Sequence, residues 1–114
     1  MEKNTEDQRS FERFTARFPV KIKDSMDDFG TKLFLRDASA DGVKLTARHK
    51  VFLNDSLSLA VKLPDGQEPL VLNGKIVWVK TKGSSLLWDI GMQFHKVDFM
   101  NIQRLFKFAQ QEAV

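Results

Sequence analysis

Leu57, Leu59, Val61 and Leu63 alternate with Ser58, Ala60 and Lys62, a period of two that suits a half-buried β-strand and defeats a helix. The same period recurs along the chain. Phe18, Val20 and Ile22 alternate with Lys21 and Lys23, with Pro19, which lacks a backbone donor, suited to the start or edge of that strand. Leu33 and Leu35 form one hairpin arm and Val43 and Leu45 the other. Leu72, Ile76 and Trp78 share one face of a longer strand, in which Gly74 suggests a bulge or bend. Trp88, Ile90, Met92 and Phe94 face inward on the last strand, with Asp89, Gly91, Gln93 and His95 outward.

Turn-forming clusters separate these runs: residues 24–30, Asn54-Asp55, Pro64-Asp65-Gly66 and Lys82-Gly83-Ser84-Ser85. Six short strands with no helical stretch between them predict a mainly β fold, a six-stranded antiparallel barrel, since closure removes exposed edges. A C-terminal helix follows. Asp98 can cap it, and Phe99, Ile102, Leu105, Phe106 and Ala109 form the face that packs on the barrel. Phe108 points away, beside Arg104 and Lys107, where a partner protein could meet it.

With 114 residues the chain has room for one modest core. Residues 1–8 (MEKNTEDQ) are almost free of apolar side chains and read as a flexible N-terminal arm. They lack the apolar centre of a signal peptide, no run reaches the length of a membrane span, and cysteine is absent, all of which fits a cytoplasmic protein. The formal charge of +3 is spread among carboxylates such as Asp24, Asp27, Asp28, Asp65 and Glu68. That pattern favours small anions over a polyanion.

Catalysis finds no support. His49 and His95 are far apart without metal-ligand spacing and read as solvated residues. Ser39 has neither a nearby histidine nor the glycines of a nucleophile elbow. Asp28-Phe29-Gly30 matches the magnesium-binding tripeptide of protein kinases, but the chain has no room for that fold and no Gly-rich loop before it. Neither an enzyme nor a cofactor or metal is expected.

Binding is better supported. Asp37-Ala38-Ser39-Ala40-Asp41-Gly42 is a polar turn between two strands, with Gly42 expected to supply a positive φ. Upstream, Arg9 and Arg13 stand four residues apart in Arg9-Ser10-Phe11-Glu12-Arg13. A guanine offers O6 and N7 to an arginine fork and N1–H and N2–H to a carboxylate, while arginine also neutralises phosphate and lies flat on a purine. Two arginines on an arm and an aspartate with a serine on a turn are therefore complementary to a guanine dinucleotide.

R-x-x-x-R leading into a strand, then D-x-S-x-x-G between strands, then Gly91-Met92-Gln93-Phe94 on the closing strand, resembles the PilZ domain family, whose members bind cyclic di-GMP. The resemblance runs from Arg9 to the C-terminal helix. It implies a PilZ-like domain over 9–114, with an arginine clamp segment at 9–17, the barrel at 18–97 and the helix at 98–112. By the same resemblance Arg9 and Arg13 form the clamp, Asp37 and Ser39 make direct polar contacts, and Gly42 lets backbone and ligand approach closely. Trp78 lies where some members present a ring to the ligand, against the alternative of a core tryptophan. Many members carry a further arginine immediately before the pair, associated with a self-stacked ligand dimer; here that position is Gln8, which favours a single bound dinucleotide, with Arg17 a candidate substitute.

The sequence thus leads to a cyclic di-GMP sensor or adaptor whose arm closes on the ligand and which signals to a partner protein in motility, biofilm or pilus control. Two alternatives stand beside it. One is a degenerate PilZ-like interaction module that binds no nucleotide; the other is a barrel that binds single-stranded nucleic acid, which the scattered carboxylates disfavour.

Overall fold

A computed structural model describes residues 12–81 and 86–112. The expected arm, Arg9 and the turn at 82–85 lie outside the described residues. A two-residue strand β1 (Phe14–Thr15) is followed by β2 (Pro19–Ile22), β3 (Leu33–Ser39), β4 (Gly42–Ala47), β5 (Ser56–Val61), β6 (Leu70–Thr81) and β7 (Trp88–Phe94), then helix α1 (Phe99–Glu112). All pairings are antiparallel. The order β3-β2-β5-β6-β7-β4 closes through β3–β4, so six strands form the expected barrel. Since β4 takes one edge of β3, β1 and β2 share the other, pairing at Asp37–Ala38 and at Leu33–Phe34.

The alternating positions fill the barrel. Leu33, Leu35, Val43, Leu45, Leu59, Val61, Leu72, Ile76, Ile90 and Met92 are all buried. The turn at Pro64-Asp65-Gly66 uses the positive φ of Gly66, 72°. Asn54 supplies another positive φ at its turn.

Two bulges interrupt the alternation. In β3, Leu35 pairs with Leu45 and Asp37 with Lys44, leaving Arg36 extra. In β6, Ile76 pairs with Met92 and Trp78 with Gly91, leaving Val77 extra. Each added residue reverses the phase beyond it. Leu35 and Ala38 both point inward, with Arg36 and Asp37 between them, and Ile76 and Val79 both pack inward, with Val77 and Trp78 between them. The bulge expected at Gly74 therefore lies at Val77. Gly74 instead allows the Gln93 backbone to come closer than a β-carbon would permit.

The helix is capped as expected: the Asn101 N–H donates to Asp98 Oδ1 (3.1 Å) and the Asn101 side-chain amide to Oδ2 (2.9 Å). Its buried face differs from the expected one. Ile102 and Leu105 are buried and Phe108 and Ala109 pack on the core, whereas Phe99 and Phe106 are exposed. The helix meets the barrel along a stripe centred on Leu105, one turn position away from the stripe that would include Phe106. Arg104 secures it, donating to Asp65 Oδ2 (2.9 Å) and the Glu68 carbonyl (3.2 Å). No described helix is long and apolar enough to cross a membrane.

Candidate functional site

Residues paired across the strands assemble one row on the barrel's outer face. Thr15 pairs with Asp37, Asp37 with Lys44, Lys44 with Gly91 and Gly91 with Trp78. Both bulges border this row, and both serve it. In an unbulged β3 Asp37 would share the inward phase of Leu33 and Leu35, and in an unbulged β6 Trp78 would share that of Leu72 and Ile76, as the uninterrupted period had suggested. Trp78 is instead 41% exposed. Its indole Nε1, Cε2 and Cδ1 occupy the space beside Gly91 where a β-carbon would stand. A glycine there lets the ring lie down on the sheet.

Above the Lys44–Gly91–Trp78 part of the row is an open cavity of about 480 Å³, lined by Arg13, Asp41, Lys44, Trp78, Gly91 and Gln93 among others, with Asp37 behind Arg13 rather than in the lining. Arg13 reaches it from the segment before β1, held by Asp37: Nε donates to Oδ1 at 2.7 Å and Nη2 lies 2.5 Å from the same oxygen. The Lys44 side chain has no hydrogen bond or ion pair among the described residues, although the residue is half-buried and next to Asp37 in the row. It is one of the residues that line the cavity.

The hairpin turn is built differently from its sequence expectation. Ser39 pairs with Gly42 and the turn is Ala40–Asp41. Gly42 does not have a positive φ. Its constraint is steric, because a β-carbon would meet the Met92 carbonyl on β7. Ser39 is 1% exposed and donates its hydroxyl to Asp41 Oδ1 at 2.5 Å, so in this geometry it braces the turn. The Ala40 and Asp41 carbonyls accept from the Asp98 and Phe94 N–H groups, at 2.9 and 2.8 Å. The turn that presents Asp37 is thereby fastened to the start of the helix.

Of the residues singled out from sequence, Arg13, Asp37, Gly42 and Trp78 come together here. Arg17 does not; it lines a separate groove with Phe29, Phe34 and Arg36. Lys44 and Asp41 were passed over, though the outward phase of Lys44 between Val43 and Leu45, two residues beyond the turn glycine, carried the signal.

A closed six-stranded barrel with a capping helix, an arginine-bearing segment and an aspartate turn on one face describes a small ligand-binding or adaptor domain. The family model of the PilZ domain matches residues 7–111, and the chain belongs to that family. Among solved structures, it is similar to the Bacillus subtilis inhibitor of motility, MotI/DgrA, with a TM-score of 0.66 at 16% identity. The alignment covers 93% of this chain and 51% of that one, so the chain spans about half that protein's length. The likeness is one of fold. No curated protein sequence matches the chain significantly.

Proposed function

We propose that the chain is a cyclic di-GMP sensor and adaptor that binds the dinucleotide in the cavity beside Asp37. The observation that carries this reading is the row Asp37–Lys44–Gly91–Trp78 on the outer face, in which Lys44, Gly91 and Trp78 line an open cavity together with Arg13 and Asp37 holds that arginine. Trp78 offers a ring face for a guanine, Asp37 accepts from the guanine N1–H and N2–H edge, and Arg13 and Lys44 neutralise phosphate. Ser39 and Gly42 hold the turn in place. Arg9 and the residues before it complete the clamp by closing over the ligand, and Gln8 in place of a further arginine favours a single dinucleotide.

Ligand entry has to open the Arg13–Asp37 ion pair. Their side chains are 49% and 28% exposed, and exposed pairs contribute only about 0–1 kcal/mol. Hydrogen bonds to charged groups contribute about 1.5–3 kcal/mol each, so new bonds to phosphate and guanine outweigh the one lost. The closed arm then offers a changed surface to a protein partner, consistent with a motility or biofilm role. The location is taken to be the cytoplasm, where this messenger is made and read.

Isothermal titration calorimetry of cyclic di-GMP into the wild type, Arg13→Ala and Asp37→Ala, with GTP as control, tests the reading. Saturable binding lost in both variants supports it. The rival reading, an interaction module without nucleotide, draws on the same ion pair, in which both groups already satisfy each other. It predicts no binding of cyclic di-GMP to the wild type.

A further inference from the structure

On the far side of the β3 bulge is a second groove, of about 550 Å³, lined by Arg17, Pro19, Phe29, Gly30, Phe34 and Arg36 among others. We propose that this groove is where an acidic segment of a partner protein docks, and that the bulge links it to the cavity of Arg13 and Asp37. The docking claim stands on the groove alone. The link rests on the cyclic di-GMP reading.

Charge is the first argument. None of the residues lining the groove is acidic. Three further cations lean over its two rings: Lys21 and Lys62 lie 5.4 and 5.8 Å from the centre of Phe29, and Arg48 lies 5.4 Å from that of Phe34. Of the nearby acids Asp27 and Asp89 are engaged, while Asp28, next to Phe29, is exposed. Asp27 pairs with Lys32 at 3.3 Å, and Asp89 accepts from Thr46, whose hydroxyl in turn accepts from Arg36. Arg17, Arg48 and Lys62 have no carboxylate partner among the described residues. Among the described residues, cations thus outnumber acids around the groove's apolar floor, a surface complementary to carboxylates carried among aliphatic side chains.

The rings decide between a peptide and a nucleic acid. A single-strand binder leaves aromatic faces open for bases to stack on. Here cations already attend both phenyl rings, which makes the rings supports for the cations.

The link to the other cavity is covalent and short. Arg36 and Asp37 are adjacent, one lining the groove and the other holding Arg13. The segment opposite them is equally continuous: Thr15 pairs with Asp37, the Ala16 N–H donates to the Arg36 carbonyl at 3.0 Å, and Arg17 enters the groove. Drawing Arg13 away from Asp37 pulls on the strand that positions Arg17.

The test uses the ¹⁵N-labelled full chain, titrated with an eight-residue peptide of alternating Glu and Leu, its Gln–Leu counterpart and an oligothymidylate, with and without cyclic di-GMP. The expected result is saturable binding of the Glu peptide, with shifts clustered at Arg17, Phe29 and Phe34, and binding weakened about tenfold or more both for the Gln peptide and by the combined Arg48→Glu and Lys62→Glu changes. Cyclic di-GMP binding by that double variant stays as in the wild type. Equal binding of the two peptides, shifts confined to the Arg13 cavity with none in the groove, no saturation, or tighter binding of oligothymidylate in this groove each overturns the docking claim. A peptide affinity that saturating cyclic di-GMP leaves unchanged overturns the link. If the wild type takes up no cyclic di-GMP, the proposed function and the link fall together, while the titration without nucleotide still decides the groove.

Discussion

Trp78 lies flat across Gly91, its indole in the space a β-carbon would fill. The ring's position on the outer face therefore depends on a residue of another strand. Gly91→Ala is expected to lift the indole, costing about 1–3 kcal/mol as overpacking and weakening cyclic di-GMP binding about tenfold or more, in line with the loss of a base–aromatic stack. The diagnostic is a double-mutant cycle. In a Trp78→Ala background the alanine at position 91 meets no ring, so both penalties should largely vanish. If Gly91→Ala costs the same with and without the indole, the contact is not what constrains this glycine.

Arg13 and Asp37 separate folding from binding. Because their ion pair is partly exposed, Asp37→Ala and Arg13→Ala should each change unfolding free energy by no more than about 1 kcal/mol. Loss of binding should be much larger, because each removes a charge-assisted contact to the ligand. Urea melts beside calorimetry make the comparison, and a variant that binds normally removes its residue from the site.

The strands and the capped helix were legible because period-two alternation and turn residues mark them directly. The bulges were not. Neither Arg36 nor Val77 is a residue that announces a bulge, and the glycine that did, Gly74, serves a close approach to Gln93 instead. Missing one residue of phase, the alternation alone put Trp78 on the inward face and left it open between the core and the ligand, since a bulge exchanges every later side chain between faces. The motif singled out Asp37 without saying why it points out. The direction of Arg17, offered as a candidate substitute in the clamp, was not legible: four extended residues span roughly 13 Å, enough to carry it into another groove. On the helix, a stripe through Phe99 and Phe106 and a stripe through Leu105 and Phe108 are both consistent with the period of 3.6, and only the docking angle on the barrel chooses between them.

Asp65 gives a pH dependence. The Gln67 backbone N–H first, and then the Arg104 side chain, hold its carboxyl below the ordinary value of 3.8. A carboxyl depressed in the folded state stabilises the fold fully above its unfolded pKa, and that contribution is lost as pH falls from about 4 through the lower folded value. Asp65→Asn should therefore lower the melting temperature at pH 6, with the difference from wild type shrinking below pH 4. A constant difference across that range would assign the effect to packing rather than to the charge on the carboxyl.

Asp98 joins the helix to the β3–β4 turn. Its carboxylate caps the first turn through Asn101, while its N–H donates to the Ala40 carbonyl. Asp98→Ala removes the cap and keeps the backbone bond, so a loss of about 0.5–2 kcal/mol is expected. The first helical turn should fray, and hydrogen exchange should quicken at Asn101 and Ile102, whose N–H groups bond to the carboxylate and carbonyl of Asp98. Because the Ala40–Asp41 turn leans on this end of the helix, its amides should exchange faster as well, with cyclic di-GMP binding weakened less than in Asp37→Ala. Faster exchange at the helix alone, with the turn unchanged, would mean that the Phe94 N–H bond to the Asp41 carbonyl is sufficient to hold the turn that presents Asp37.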